Sequence, residues 1–536
     1  MENNLFEKVF SRRATVCFFV LMLMLLTCVL RVAVIMDGDL QSVEAKQSSY
    51  KIKIGDIRGT IYDRNMVPIT NNKREIYGIA LPKPTAITAV SSILSGDELS
   101  RVLETLKSNK PAVFKAEKTI EADGIAFTTV YRHSESQILS PHIIGYTDSE
   151  SHGVSGIEAA YDEWLFSESE VSAVYIADGK GRALKGIKPD FENDLGEVAK
   201  GVVTTLDVNI QSIAERAAEG IDKGAVLVAE TETGKIRASV SKPTFDIENL
   251  SDYLEDENAP LLNRALQCFS VGSAFKPCVA AAALEKGTAY FNFECTGKTH
   301  IIDRDFKCHK IEGHGLMDIK SAIANSCNTF FYTLGINTGA TEVYNMASSL
   351  SFGSSIKIAE NIKTVKGNLT ELSRLKNPAA LANLSIGQGD LLLSPVAMLN
   401  LYSAIGGNGT YYLPSLIERM VKGGEVKEYD IGKPTKVMEE ETAEKLREYL
   451  KAVVEEGTGT AASPETTTAA GKTATAQTGR YDQNGNEINN SWFCGFFPFE
   501  NPKYTVIVMA EAGTTSAVCT AFSQIADGIT ELESHG

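Results

Sequence analysis

The first hydrophobic pattern in the chain is an unbroken apolar run close to its N-terminus. Residues 14–30 read ATVCFFVLMLMLLTCVL and contain no charge, and RVAVIM extends the run to Met36. At about 1.5 Å of rise per residue, a helix of this length crosses a hydrocarbon core of about 30 Å. The pattern therefore predicts a transmembrane helix over residues 14–36, after a tail over residues 1–13.

Charges on the two sides of the run predict its orientation. Lys8, Arg12 and Arg13 precede it. The residues that follow are mainly acidic, with Asp37, Asp39 and Glu44 against Lys46. Because positive residues concentrate on the cytoplasmic side, we expect a cytoplasmic N-terminus, with the residues after the apolar run outside the cell. A cleaved signal peptide is the alternative, and the length of the apolar run disfavours it.

The pattern changes near residue 206, where a new domain is expected to begin. Asp207 is placed to cap a helix, and the apolar residues that follow it recur at helical spacing: Ile210, Ile213, Ala214, Ala217 and Ile221. The preceding segment, residues 37–205, is polar and mixed, and its sequence carries no cluster of catalytic residues. We therefore expect two domains outside the membrane, over residues 37–205 and 206–536.

The C-terminal domain has strand patterns at both ends. GAVLVAETETGKIRASVS reads as two strands joined by a Thr-Gly turn, and SWFCGFFPF and YTVIVMAEAG form a second pair. Long helical patterns lie between them. This arrangement predicts an antiparallel sheet packed with helices, an α+β fold.

Composition and charge narrow the classes of function. The chain has 536 residues, of which 43% are hydrophobic and 22% are charged, so it is long enough for about two or three globular domains. Its formal net charge is -16. Because nucleic-acid surfaces need clustered Lys and Arg in excess, we expect no nucleic-acid partner.

One short stretch, FSVGSAFKP at residues 269–277, carries candidate chemistry. If a helix begins at Ser273, Lys276 lies on the same face, which is the geometry of a nucleophile beside its base. The same Ser-x-x-Lys spacing recurs elsewhere, at Ser48, Ser239, Ser354 and Ser373. Ser273 follows Gly272 and opens a strongly helical stretch, where free backbone N–H groups favour an oxyanion.

Two further motifs follow in order. SCN contains Ser326 and Asn328, and KTAT begins with Lys472 and Thr473 in a strand-like stretch. A lysine acts as a base when burial or a neighbouring cation lowers its pKa, and Lys472 is expected to supply that neighbour.

The ordered set SAFK, SCN and KTAT resembles the motifs of penicillin-binding proteins and serine β-lactamases. The phrases RGTIYDRN, HIIGYTD and LSIGQGDLLLSPVAMLNLYSAI narrow the resemblance to class B, monofunctional penicillin-binding proteins of the elongation or sporulation type, from about residue 50 almost to the end. The resemblance implies a transpeptidase domain on an elongated N-terminal pedestal. It also implies activity in peptidoglycan synthesis, binding of β-lactams, and a glycan polymerase as partner.

The resemblance also implies roles for individual residues. Ser273 attacks the D-Ala-D-Ala stem peptide and forms an acyl-enzyme, with Lys276 as its base. Ser326 passes the proton, and Asn328 holds the substrate backbone. The carboxylate-binding residues are Lys472 and Thr473, and the oxyanion hole consists of the backbone N–H groups of Ser273 and Thr475. The serine chemistry requires no cofactor.

At one position the chain departs from the family pattern, because Ala474 stands where the third motif usually has glycine. A methyl group is added where the backbone passes close to substrate. Alanine keeps strand geometry, so we expect an altered fit and not a loss of activity.

Cysteines and a histidine near the second motif suggest a metal site. Cys295, Cys308, His314 and Cys327 form a ligand set that suits tetrahedral zinc, with His309 as a substitute ligand. Some elongation-type relatives resemble this chain in carrying a metal beside the active site. The alternatives are a Cys295–Cys308 disulfide and small buried thiols.

Two other functions remain open at this point. One is a weakly catalytic docking subunit of a wall-synthesis complex, and the other is a β-lactamase or penicillin sensor of the same fold. In the first of these, the large segment before the catalytic domain would be the working part. The same segment disfavours the β-lactamase and the penicillin sensor.

Overall fold

A computed structural model describes residues 2–37, 49–132, 139–167, 170–178, 183–184, 187–193, 200–430 and 432–535. The chain divides into two compact units. The first consists of Met1–Ile57, Arg74–Tyr131 and Ser169–Asp194, and the second of Arg58–Lys73, Arg132–Glu168 and Leu195–Gly536. Segments of residues 37–205 thus contribute to both units, and the domain boundary at 205 and 206 stays a prediction.

The N-terminal apolar run lies within a single helix, Glu2–Asp37. Its segment Arg12–Ala33 is long and apolar enough to cross a membrane, with a mean hydropathy of 2.6, and its side chains are exposed. This helix fits the predicted single membrane span. Asp39, Glu44 and Lys46, on which the predicted orientation depends, lie outside the described residues, as does Ser48.

The described residues of the first unit form two three-stranded sheets and, besides the N-terminal helix, two more helices. One sheet has the order Ser49–Asp56, Glu170–Ile176, Asp190–Asn193, and the other Ala112–Ala116, Lys73–Ala80, Ile125–Arg132. The helices are Pro84–Ile93 and Gly96–Lys107. They bury Val90 and Val102 with Phe114 in a small core.

A five-stranded antiparallel sheet forms the centre of the second unit. Its order is Ile236–Lys242, Gly224–Glu230, Tyr504–Glu511, Glu487–Phe497, Ala470–Tyr481. The first two strands and the neighbouring pair Glu487–Phe497 and Tyr504–Glu511 are the hairpins predicted from the two pairs of β-rich runs. Strand Ala470–Tyr481, which carries the third motif, is at the edge of the sheet.

Helices cover both faces of this sheet, because successive strand residues point to opposite sides. Leu227, Trp492 and Ile507 belong to the core that includes helices Lys276–Lys286 and Pro395–Gly406. Val228, Phe493 and Val508 belong to the core with helices Val208–Ala217 and Thr515–His535. The predicted α+β fold is thus confirmed.

The helix predicted after residue 206 is also present. It spans Val208–Ala217, and the Asp207 carboxylate accepts hydrogen bonds from the backbone N–H groups of Asn209 and Ile210. The strand before it, Gly201–Thr204, belongs to a four-stranded sheet of order Glu425–Glu428, Ile417–Lys422, Gly201–Thr204, Thr60–Tyr62.

Further elements are present among the described residues of the second unit. The remaining α-helices are Pro141–Ile144, Gly156–Ala160, Asp162–Leu165, Ile319–Ala324, Asn328–Thr338, Ala340–Ser349, Leu372–Leu375, Pro378–Ser385 and Glu440–Glu455. Two-stranded sheets pair Phe293–Cys295 with Gly315–Met317, Lys298–Ile301 with Arg304–Lys307, Lys357–Ala359 with Ile362–Lys363, and Thr410–Tyr411 with Thr435–Lys436.

A buried ion-pair network holds the early segments within the second unit. Arg58 Nε lies 2.6 Å from Glu158 Oε2, and the two side chains are 5% and 0% exposed. Arg58 Nη1 also lies 2.8 Å from Asp162 Oδ1, and Nη2 donates to the Glu158 carbonyl. This network joins residues that are 100 positions apart in the chain.

Candidate active site

Ser273 stands at the beginning of a helix, as predicted. A 3₁₀ turn, Gly272–Phe275, leads directly into the α-helix Lys276–Lys286, which we call the serine helix. Gly272 has φ of 54°, and a Cβ there would press against Ala476 in the edge strand. Glycine is therefore required for the turn that brings the half-buried Ser273 beside this strand.

Three contacts from distant parts of the chain support this turn. The Gly272 N–H donates to the Gly387 carbonyl at 3.0 Å. The buried Tyr402 hydroxyl donates to the Ala274 carbonyl at 2.9 Å, and Trp492 Nε1 donates to the Ser270 carbonyl at 2.9 Å. Gly387, Tyr402 and Trp492 were not among the predicted site residues. They lie in SIGQGD, NLYSAI and SWFCG, which belong to stretches that carry the family resemblance, and this could have indicated them.

Lys276 is fully buried, and its amine contacts the second motif. Its Nζ donates to the Ser326 carbonyl at 2.6 Å, to Ser326 Oγ at 3.1 Å and to Asn328 Oδ1 at 2.7 Å. Within the described residues no carboxylate pairs with it, and no hydrogen bond joins it to Ser273. Burial lowers the pKa of Lys276 to about 7.

The second motif owes its position to an unusual backbone conformation. Ser326 has φ of 54° in the turn between helices Ile319–Ala324 and Asn328–Thr338. A residue with a side chain rarely adopts this region. The turn lets Ser326 present both its carbonyl and its hydroxyl to Lys276, while Asn328 begins the next helix beside them.

Lys472 lies on the edge strand and is also fully buried. Burial, together with repulsion from Lys276, lowers the pKa of Lys472 well below its usual value. We expected Lys472 to be what lowers the pKa of Lys276. In the structure, burial is the main cause of the lowered pKa of both amines. Repulsion between the two amines lowers the pKa of Lys472 further.

The residues after Lys472 alternate between the two sides of the edge strand. On one side, Thr473 Oγ1 lies 2.6 Å from Thr458 Oγ1, and Thr475 Oγ1 lies 3.2 Å from Thr515 Oγ1. On the other side, Ala474 is 3% exposed and belongs to the large core. The additional methyl group is therefore packed within the protein.

The predicted metal ligands form a close group. Cys295, Cys308, His314 and Cys327 each offer an atom, and these four atoms all lie within 4.8 Å of one another. Nδ1 of His314 is 3.5 Å from Cys295 Sγ and 3.6 Å from Cys308 Sγ, and the Sγ atoms of Cys308 and Cys327 are 3.9 Å apart. The cysteines are free thiols. His309 is not one of the four, although its Nδ1 lies 3.9 Å from Cys308 Sγ.

Comparison with known families settles the class of this domain. Residues 224–529 match the family model "Penicillin binding protein transpeptidase domain". The chain belongs to this family. The match covers the serine helix, the SCN turn and the edge strand.

Relatives of the family extend the similarity over nearly the whole chain. Stage V sporulation protein D of Bacillus subtilis is 28% identical over 89% of this chain and 77% of its own. The peptidoglycan D,D-transpeptidase MrdA of Salmonella typhimurium is 26% identical over 96% and 95%. Penicillin-binding protein 3 of Mycobacterium tuberculosis, 20% identical over 90% and 97%, shares the fold with a TM-score of 0.66.

Within this penicillin-binding fold, the structure brings together most of the predicted site residues. Lys276 contacts Ser326 and Asn328 directly, and Lys472 lies near enough to Lys276 for their charges to interact. Ser273 lies one helical turn before Lys276. The carbonyl oxygen of Thr475 would lie 3.2 Å from a Cβ placed on Gly272, the residue before Ser273. The roles of these residues stay predictions.

Proposed function

We propose that this protein is a serine-type peptidoglycan D,D-transpeptidase that crosslinks stem peptides during bacterial cell wall synthesis. The observation that carries the proposal is the environment of Lys276. Its amine is buried, donates hydrogen bonds to neutral oxygens of Ser326 and Asn328, and follows Ser273 by one helical turn. A lysine that is neutral near pH 7 is suited to accept the proton of a nucleophilic hydroxyl.

Acylation would begin when Ser273 Oγ attacks the carbonyl carbon between the two D-Ala residues, while its proton passes to Lys276. Backbone N–H groups of Ser273 and Thr475 would stabilise the negative oxygen. As the C–N bond breaks, the leaving D-Ala amine would take a proton from Lys276 through the Ser326 hydroxyl. The products are a Ser273 ester and free D-Ala.

Deacylation would use an amine from a neighbouring stem peptide. The amine attacks the ester carbonyl and loses a proton to the same Lys276 and Ser326 pair. The ester bond then breaks, and the proton returns to Ser273 Oγ. Lys472 and Thr473 would bind the carboxylate of the donor peptide, and Asn328 would hold its backbone.

The test is covalent labelling of the full-length protein in detergent with a fluorescent penicillin and with a thioester stem-peptide mimic. We expect both reagents to label the wild-type protein, and Ser273→Ala to abolish labelling. Ser239→Ala and Ser354→Ala are matched controls, because their sequences share the Ser-x-x-Lys spacing. Labelling that persists in Ser273→Ala would reject the assignment.

The same experiment separates the alternatives. A docking subunit would take no label in the wild-type protein. A β-lactamase would release the penicillin as hydrolysed product within the assay, whereas a transpeptidase keeps a long-lived acyl-enzyme. Transfer of the acyl group from the thioester to an added D-amino acid or amine would identify the transpeptidase reaction.

We also propose that the N-terminal helix anchors the protein with residues 1–13 in the cytoplasm, the catalytic domain outside and a glycan polymerase beside it. The apolar segment Arg12–Ala33 and the N-terminal basic residues support this arrangement. Protease digestion of intact protoplasts tests it, because an external domain is degraded and a cytoplasmic one is protected. Copurification with a glycan polymerase tests the partnership.

A structural zinc site is a second proposal, and the donor set fits it. Thiolates at about 2.3 Å and an imidazole at about 2.0–2.1 Å from a tetrahedral zinc lie roughly 3.5–3.8 Å from one another. The observed distances are close to these values: 3.5 Å from Cys295 Sγ to His314 Nδ1, 3.6 Å from Cys308 Sγ to the same nitrogen, and 3.9 Å from Cys308 Sγ to Cys327 Sγ. Bound zinc would hold Cys327, and with it the turn between Ser326 and Asn328.

Elemental analysis and thermal melting of protein purified under reducing conditions test the zinc proposal. We expect about one zinc ion per chain. Cys308→Ser and His314→Ala should lose the metal and melt at a lower temperature. His309→Ala is the matched control and should keep the metal. A metal-free protein of equal stability and reactivity would remove the proposal.

A further inference from the structure

Thr458 connects two walls of the candidate active site. It follows the helix Glu440–Glu455, and its backbone N–H donates to the Ala324 carbonyl at 3.1 Å. Its hydroxyl oxygen lies 2.6 Å from Thr473 Oγ1 in the edge strand. The preceding Gly457 packs so closely on the same Ala324 carbonyl that a Cβ there would collide with it.

We propose that Thr458 is a positioning residue that sets the hydroxyl orientation of Thr473 for the carboxylate of the substrate. The inference rests on the proposed function, in which Thr473 binds that carboxylate. Neither the motifs nor the resemblance singled out Thr458, which lies outside SAFK, SCN and KTAT.

The physical reason is the two-sided chemistry of a hydroxyl group. A threonine hydroxyl has one hydrogen to donate and lone pairs that accept. An anion is bound only if the Thr473 hydrogen points toward it. When Thr458 donates its own hydrogen to Thr473 Oγ1, the Thr473 hydrogen is left free for the carboxylate, and the chain of two hydrogen bonds is mutually strengthening.

Burial makes Thr473 dependent on this neighbour. The Thr473 residue is 5% exposed, so little of its own surface is open to water, although Thr458 itself is exposed. The second pair on this side of the strand differs, since Thr475 and Thr515 are 3.2 Å apart and Thr475 is exposed. Water can replace Thr515 there, and we expect its hydroxyl to matter less.

The backbone contact extends the effect to the second motif. Ala324 ends the helix Ile319–Ala324, two residues before Ser326. Thr458 is therefore bonded on one side to the segment that presents Ser326 and on the other to the segment that presents Thr473. The contact maintains the spacing between the proton-transfer residues and the carboxylate-binding strand.

The test compares two reagents on the full-length protein. One is a fluorescent penicillin, which carries a carboxylate, and the other is an arylboronic acid without a carboxylate, which binds Ser273 reversibly. We expect Thr458→Val to lower the second-order rate of penicillin acylation about tenfold, the equivalent of one hydrogen bond to a charged group. Boronic acid affinity should change less than about twofold, since that reagent has no group for Thr473 to bind.

Three variants sharpen the comparison. Thr458→Ser keeps the hydroxyl and should restore the rate. Thr460→Val alters an exposed threonine two residues further on and should leave both reagents unaffected. Thr458→Val combined with Thr473→Val should be little slower than Thr473→Val alone, because the first residue acts through the second.

The outcomes separate this inference from the proposed function. If the wild-type protein is acylated at Ser273 and Thr458→Val reacts at the wild-type rate, the inference fails and the function stands. Equal losses with penicillin and boronic acid would overturn it as well, because they indicate a general structural defect. Absence of any acylation in the wild-type protein would instead reject the proposed function and the inference with it.

Discussion

Two buried cations in the second unit have opposite surroundings. Arg58 is 5% exposed and lies between two carboxylates, with Glu158 at 2.6 Å and Asp162 at 2.8 Å. Lys276 is fully buried, and its amine donates hydrogen bonds to neutral oxygens of Ser326 and Asn328. The charge of Arg58 is balanced by two carboxylates. Lys276 has neutral hydrogen-bond partners, and its amine becomes neutral by losing a proton.

The difference separates a structural role from a chemical one. Arginine stays protonated in proteins, so a buried guanidinium needs a negative partner. Lysine can lose its proton, and without such a partner burial lowers the pKa of Lys276 to about 7. Arg237 and Arg264, which are also buried, follow the Arg58 pattern with Glu230 and Glu511 as partners.

The largest expected effect is the loss of reactivity in Lys276→Met. Without the base, penicillin acylation should fall by about 10²–10⁴-fold, the usual contribution of a general base. Thermal stability should be retained, because an apolar side chain replaces a buried amine. Stopped-flow acylation and calorimetry measure the two effects.

Lys286→Met provides the control for this variant. Lys286 is an exposed residue at the other end of the serine helix, where it pairs with Glu342. Its acylation rate should equal that of the wild-type protein. If Lys276→Met also reacts at the wild-type rate, a different group accepts the proton, and Lys276 does not have the chemical role that distinguishes it from Arg58.

The reverse pattern is expected for Arg58→Met. This change leaves the carboxylate of Glu158 buried, which should lower the free energy of unfolding by about 3–5 kcal/mol. The folded fraction should still react with penicillin at the wild-type rate. Chemical denaturation followed by tryptophan fluorescence measures the loss, and adding Glu158→Leu should recover part of it. A loss below about 1 kcal/mol would contradict the structural role.

The pH dependence of acylation tests the pKa of Lys276 directly. The base must be neutral, so a pKa of about 7 predicts a plateau above that pH. Below it, the rate should fall about tenfold per pH unit as the amine becomes protonated. Acylation rates measured from about pH 5 to about pH 9 give the profile, and a flat profile would exclude Lys276 as the base.

The smallest effect is expected for Ala474→Gly. Its methyl group is buried in the core on the side of the strand opposite to Thr473 and Thr475. Because the methyl group does not face that side, removing it should change the rate of acylation by about tenfold or less, which corresponds to at most about 1.4 kcal/mol. A larger change in the labelling assay would contradict this placement of the methyl group.

The sequence alone determined those features that depend on residues close together in the chain. Apolar residues at the helical spacing of about 3.6 predicted the capped helix after Asp207, and β-rich runs joined by short turns predicted both hairpins of the central sheet. The Ser273 and Lys276 pair was recognisable because a single helical turn places residues i and i+3 on one face. Such patterns follow from backbone geometry and need no knowledge of distant neighbours.

Tertiary structure decided which groups meet. The partners of Lys276 are 50 and 52 positions away, and Arg58 and Glu158 are 100 positions apart. The order of the cysteines suggested a ligand set, but only the packing of two small sheets against the SCN turn brought it within 4.8 Å. Hydrogen-bond partners and burial depend on this packing, which local periodicity does not encode. For that reason the low pKa of Lys276 and the contact of Thr458 with Thr473 became visible only in the folded chain.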